Sequence, residues 1–96
     1  GPAYVFYFTD LFVRSAIELG IEKDLAEKLV LQTLNGSVRL LEKSQEKALI
    51  LKQQVTSKGG TTEAAFDIFN KSGVDKTFMN AINAAYKRSK ELRIKN

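Results

Sequence analysis

AYVFYF, residues Ala3–Phe8, decides the fold. Valine and aromatic residues favour a strand by propensity. A short apolar run does not settle its own type by periodicity. The residues that follow settle it: Leu11, Phe12, Ala16, Ile17 and Leu19 continue at helical spacing. The stretch therefore reads as the start of a helix from about Ala3 to Leu19, ended by Gly20. That helix is apolar nearly all round at its beginning, so most of its sides must be buried. Four further helices in a chain of 96 residues would struggle to cover it. Two readings remain: a central helix unusually buried within one chain, or a helix deep in the shared core of a dimer. An exposed aromatic patch of this size marks an interface, and the dimer is the expectation.

The rest of the chain reads as helices as well. A second helix spans about Lys23 to Lys43, with Leu25, Leu29, Val30, Thr33, Leu34, Val38 and Leu41 at helical spacing. Gly36 interrupts it, where glycine costs roughly 1 kcal/mol against alanine and suggests close helix packing. A short third helix covers about Lys47 to Val55, and a loop follows over Thr56–Thr61. A fourth helix runs from about Thr62 to Asn70. Gly73 breaks the chain again, and Asp75 is placed to cap a last helix from about Lys76 to Arg93. There is no repeat, low-complexity tract or linker, so residues 1–96 read as one all-α, five-helix domain.

Composition excludes several chemistries. The chain has no cysteine and no histidine. Disulfides, a cysteine nucleophile and histidine acid–base catalysis are therefore out, and a metal site is not expected. No apolar run approaches the roughly 20 residues that span a bilayer, and nothing resembles a signal peptide, so a cytoplasmic location is the expectation. The chain opens on Gly1-Pro2 rather than methionine, which reads as a fragment or a processed chain. Its net charge of +4 sits entirely between Lys87 and Lys95, since the remaining acidic and basic residues cancel. Basic residues at a helix C-terminus complement the helix dipole. A nucleic-acid surface would spread them over several elements.

The stretch TSKGGTTEAAF, Thr56–Phe66, carries the only candidate chemistry. Glycines permit positive φ, so Gly59 and Gly60 can turn successive N–H groups into one concavity. A helix starts immediately afterwards, with unpaired amides and a dipole that favours an anion. Thr61 and Thr62 add hydroxyls. The combination suits a carboxylate or phosphate, with a hydroxyl left for a neighbouring nitrogen. The plain alternative is an interhelix loop with a threonine N-cap. It is not a P-loop, because the lysine precedes the glycines and no strand leads in. The carboxylate pairs Glu42/Glu46 and Glu63/Asp67 read as solvated helix faces. Tyr4, Tyr7 and Tyr86 read as packing residues with a hydroxyl at an edge.

Taken together, GPAYVFYF at the start, VTSKGGTT at Val55–Thr62, LAEKLVLQTLNGS at Leu25–Ser37 and NAINAAYKRSKEL at Asn80–Leu92 resemble the C-terminal domain of the pyrroline-5-carboxylate reductase family. The blocks occur in the family's order and spacing over nearly the whole chain. The resemblance implies an intertwined helical homodimer, assembling further into decamers in some members. It implies reduction of pyrroline-5-carboxylate to L-proline with NADPH or NADH. The nucleotide would be held by an N-terminal Rossmann domain that this chain lacks, so no residue here is assigned to the cofactor. The substrate carboxylate would lie on the loop at Gly59, Gly60 and Thr61. The Thr62 hydroxyl would serve the ring nitrogen, as the catalytic contact. Ser57 and the backbone around Gln54–Val55 would lie beside the same pocket.

Two substitutions depart from the family pattern. Lys58 stands where proline is usual, which loosens the loop and adds a charge near the carboxylate. Gln53 stands where an acidic residue is common. Lys58 sustains a second reading, a pure oligomerisation module without a working site. A third reading is a basic helical domain binding nucleic acid through Lys87–Lys95, with strongly salt-dependent affinity.

Overall fold

The computed structural model describes residues 1–95; Asn96 and the side chain of Lys95, part of the basic cluster, lie outside the described residues. All the described elements are helices: α1 (Pro2–Glu18), α2 (Lys23–Ser44), α3 (Ala48–Gln54), α4 (Thr61–Ser72) and α5 (Val74–Lys95). They fall into two compact units, Gly1–Leu51 and Lys52–Asn96, with the boundary inside α3.

In the first unit, Ala3–Phe8 is helical, as the downstream spacing required. Pro2 occupies the first helical position, where its missing N–H costs nothing and its fixed φ suits the helix. Gly20 ends the helix through a paired closure. Its N–H donates to the Ile17 carbonyl at 2.9 Å and the Ile21 N–H to the Ala16 carbonyl at 3.1 Å. Gly20 has φ +102°, a conformation a Cβ would strain. The next helix starts at once, because the Glu22 carboxylate accepts the Leu25 N–H at 3.2 Å.

α1 packs on α2. Thr9, Val13 and Ala16, at i, i+4 and i+7, line one half-buried face of α1, and Leu11 is half-buried on another side. On α2 the counterpart is Ala26 and Val30, four residues apart and buried at 0% and 3% exposure. Ala26 lets the two helices approach closely.

Those two side chains are the buried core among the described residues. Full burial of a valine is worth about 1.5–3 kcal/mol. Ordering the backbone costs about 1–2 kcal/mol per residue. A core this small does not hold such a chain unaided. The reading of α1 as a helix buried within a single chain is therefore corrected: α1 has no buried residue. Val5, Phe8 and Phe12, at i, i+3 and i+7, form an apolar stripe left 55%, 43% and 51% exposed. The apolar seam of α2 also runs on into exposure at Val38 and Leu41.

Gly36 does not mark close packing within the chain, since a Cβ built there meets nothing within 4 Å. Gly36→Ala should stabilise α2 by up to about 1 kcal/mol, read as a rise in melting temperature. A fall in self-association would instead place a second chain's backbone against Gly36.

In the second unit α4 packs on α5. The Phe66 and Phe69 rings meet edge-on at 5.5 Å, and Lys52 Nζ lies 4.5 Å from the Phe66 centroid. Gly73, with φ +68°, closes α4 and leads directly into α5. The helix start assigned to Asp75 is corrected accordingly. α5 begins at Val74, and Asp75 lies in the first turn, where its charge complements the dipole.

Candidate functional site

The loop between α3 and α4 is built by local hydrogen bonds, all within the second unit. Thr56 closes α3: its Oγ1 donates to the Lys52 carbonyl at 2.6 Å and its N–H to the Gln53 carbonyl at 3.2 Å. Ser57 to Gly60 then form a tight turn, the Gly60 N–H donating to the Ser57 carbonyl at 3.0 Å. Gly59, third in the turn, has φ +75°. This is the pattern of a type II turn, which needs glycine at the third position and suits proline at the second.

The two glycines are required for different reasons. Gly59 supplies the positive φ. Gly60 is extended, at φ −88° and ψ −178°, a backbone open to any residue. Its constraint is space, because a Cβ there would stand 2.5 Å from Ser57 Oγ and 3.2 Å from the Ser57 carbonyl oxygen.

Lys58 occupies the second position of that turn. Proline is preorganised for it, which accounts physically for the residue usual in the resembled family. Lys58→Pro should stabilise the fold by about 0.4–1 kcal/mol, mainly by restricting the unfolded chain, measured by denaturant unfolding at unchanged slope.

α4 starts one residue earlier than the sequence indicated. Its N-cap is Gly60, which has no side chain to offer. The threonine N-cap of the plain loop reading is therefore corrected, and Thr61 and Thr62 are the first two helical residues. Among the described residues their backbone amides have no protein acceptor. Both side chains are exposed, as are Val55, Ser57, Lys58 and Gly59. The structure thus brings Ser57, Gly59, Gly60, Thr61 and Thr62 together at one helix mouth, with Val55 just upstream.

The amides do not fall out as expected, however. The Gly60 N–H is spent on Ser57. The Gly59 N–H donates at 2.9 Å to Glu63 Oε1. The open donors are those of Thr61 and Thr62, with the two hydroxyls beside them. Glu63 was the residue missed. It belongs to the loop rather than to a solvated face, and it is half-buried. The available signal was its place three residues after the N-cap, where a glutamate reaches back to an unpaired amide.

The basic end of α5 is more self-contained than its charge suggests. Arg88 pairs with Glu91 at 3.0 Å, and Lys90 Nζ lies 5.1 Å from the Tyr86 centroid.

Residues 1–92 match the family model for pyrroline-5-carboxylate reductase dimerisation. The chain belongs to this family. Pyrroline-5-carboxylate reductase from Synechocystis sp. is 37% identical over 92 residues, covering 96% of this chain and 34% of the relative. Pyrroline-5-carboxylate reductase 1 from Bacillus subtilis is 37% identical over 92 residues, covering 96% of this chain and 31% of the relative. The solved Coxiella burnetii pyrroline-5-carboxylate reductase superposes with a TM-score of 0.89 at 38% identity, covering 96% of this chain and 34% of that one. The Plasmodium falciparum pyrroline carboxylate reductase, solved with NADP bound, gives 0.88 at 36% identity, covering 93% and 36%. The chain therefore spans about a third of the length of these relatives. The all-α fold is that of the reductase dimerisation region.

The described residues contain no strand, so they cannot form the strand–glycine turn–helix unit that seats a dinucleotide pyrophosphate. No helix is long and apolar enough to cross a membrane among the described residues.

Proposed function

We propose that residues 1–96 are the C-terminal dimerisation and substrate-binding domain of a cytoplasmic enzyme that reduces pyrroline-5-carboxylate to L-proline with NADPH or NADH. The nucleotide is held by a Rossmann domain outside this segment. The observation that carries the reading is an uncapped helix mouth bearing GGTT in a chain that matches the reductase dimerisation family over residues 1–92.

The chain's own residues bind and orient the substrate. Its carboxylate lies against the first turn of α4, where the Thr61 and Thr62 amides are open and the helix dipole favours an anion. The Gly59–Gly60 turn shapes the approach, and Ser57 and the backbone near Val55 flank it. The Thr62 hydroxyl hydrogen-bonds the ring nitrogen and fixes the C=N bond for reduction, a gain from orientation rather than from acid–base chemistry. The loop is exposed in the chain by itself, so other walls of the pocket come from the partner protomer and the nucleotide domain. The protein is a homodimer, with decamers as the higher assembly.

One observation favours a second reading, an oligomerisation module without a working site: the amides of both loop glycines are already spent within the chain. Expression of the full-length parent and measurement of NAD(P)H oxidation with pyrroline-5-carboxylate separates the two. Turnover is the expected result. A folded dimer that binds nucleotide and does not turn over would establish the module instead.

A further inference from the structure

We propose that Glu63 is a positioning residue of the substrate loop: its carboxylate accepts the Gly59 N–H and locks the Ser57–Gly60 turn, so that the Thr61 and Thr62 donors stay presented to the substrate. The role rests on the reading of this loop as the substrate site.

Two adjacent glycines make a loop expensive to order, because glycine loses more conformational freedom than any other residue. Here the second position of the turn is Lys58, which does not restrict φ as proline would. Something else must hold the turn, and two bonds do so. One is the closure of Gly60 on Ser57 at 3.0 Å. The other is the 2.9 Å bond from Gly59 to Glu63 Oε1. The second ties the apex of the turn, Gly59, to the helix that carries the threonines; Gly60 joins that helix as its N-cap, its carbonyl accepting the Ala64 N–H at 3.3 Å. Glu63 is the third residue of α4, so its backbone moves with Thr61 and Thr62.

Among the described residues no other hydrogen-bond donor is paired with this carboxylate. Among the described residues Glu63 makes no ion pair, although Lys58 is close in sequence. Its contact is with the backbone. Charge-assisted bonds of this type are the stronger ones, and an acidic group in a first helical turn is also favoured by the dipole.

Holding the turn requires an acceptor rather than a negative charge. A fixed negative charge beside the α4 amides would if anything oppose a bound carboxylate. Glutamine therefore keeps the function and alanine loses it. A loop that must be ordered on binding weakens affinity and leaves the bound geometry intact, so the effect falls on KM rather than kcat.

The test is steady-state kinetics of the full-length reductase with pyrroline-5-carboxylate, as wild type, Glu63→Ala and Glu63→Gln. Hydrogen exchange at the Gly59 amide is followed in the same proteins. Glu63→Ala should raise KM about tenfold, the size of one hydrogen bond's contribution, with kcat nearly unchanged and Gly59 exchanging faster. Glu63→Gln should return both to near wild type. An unchanged or lowered KM in Glu63→Ala would overturn the proposal, the lowered value marking Glu63 as a competitor for the site. Equal damage from Gln and Ala would overturn it too, since charge would then be the operative property. No turnover by the wild type, with the Gly59 amide still protected, would end the substrate-site reading. It would reduce the Glu63 contact to a structural clasp.

Discussion

Thr62→Ala should lower kcat/KM for pyrroline-5-carboxylate by roughly 10- to 100-fold, the range for losing a hydrogen bond to a charged group, while leaving the melting temperature almost unmoved. The separation of the two effects follows from where Thr62 sits. It is exposed at the second position of α4, and among the described residues its hydroxyl makes no protein hydrogen bond. The helix start does not depend on it, because the N-cap is Gly60 and the reach-back contact belongs to Glu63. Removing the hydroxyl therefore costs the folded chain little. A protonated ring nitrogen would lose a partner that both binds it and fixes the plane of the C=N bond. Thr62→Ser keeps the hydroxyl and should recover most of the activity. Unchanged kinetics in the alanine variant would remove Thr62 from the reaction and leave it an ordinary first-turn residue.

The helices were largely legible because their signals are local. Apolar spacing carried α1 through a strand-prone beginning. Gly20 announced the stop, and the structure gives it a positive φ. Each boundary read from the sequence lies within two residues of that observed. Asp75 misled because a capping residue type is also a good first-turn residue, and the preceding Gly73 was already free to close one helix and open the next. Gly36 misled because a glycine within a helix invites a packing explanation that nothing in the chain supplies.

The loop was legible as a glycine turn at a helix mouth but not in its wiring. Sequence gives the supply of amides without saying which are already taken. A turn bond to Ser57 and a side-chain bond to Glu63 consume the two glycine donors, and the open ones lie two residues onward, at Thr61 and Thr62. The same limit applies to α1. Its apolar girth could be read from AYVFYF, whereas the face left uncovered depends on which residues α2 reaches.

That uncovered face carries the largest effect. Phe8→Ala should weaken the homodimer more than hundredfold in dissociation constant, since truncating a phenylalanine buried at an interface costs about 3–5 kcal/mol. Within one chain the ring is 43% exposed and lies on the stripe shared with Val5 and Phe12, which flanks the half-buried Thr9, Val13 and Ala16 positions. The protomer's own α1–α2 contact should survive the change, so the loss appears in assembly. Sedimentation of the variant across a concentration series reads it directly. A melting temperature that depends on concentration more steeply than the parent's would agree, because a dimer's stability is linked to its association. Asp10→Ala is the matched control on the same helix. It removes an exposed ion pair with Arg14 at 2.9 Å, worth about 0.3–0.5 kcal/mol for an i,i+4 pair, and should leave the dimer intact. If the Phe8 variant sediments as the parent does at every concentration, the Phe8 ring is not in the interface. The partner would then have to be sought on another face, with the exposed Phe6 side of α1 and the Val38–Leu41 end of α2 as the apolar surfaces available.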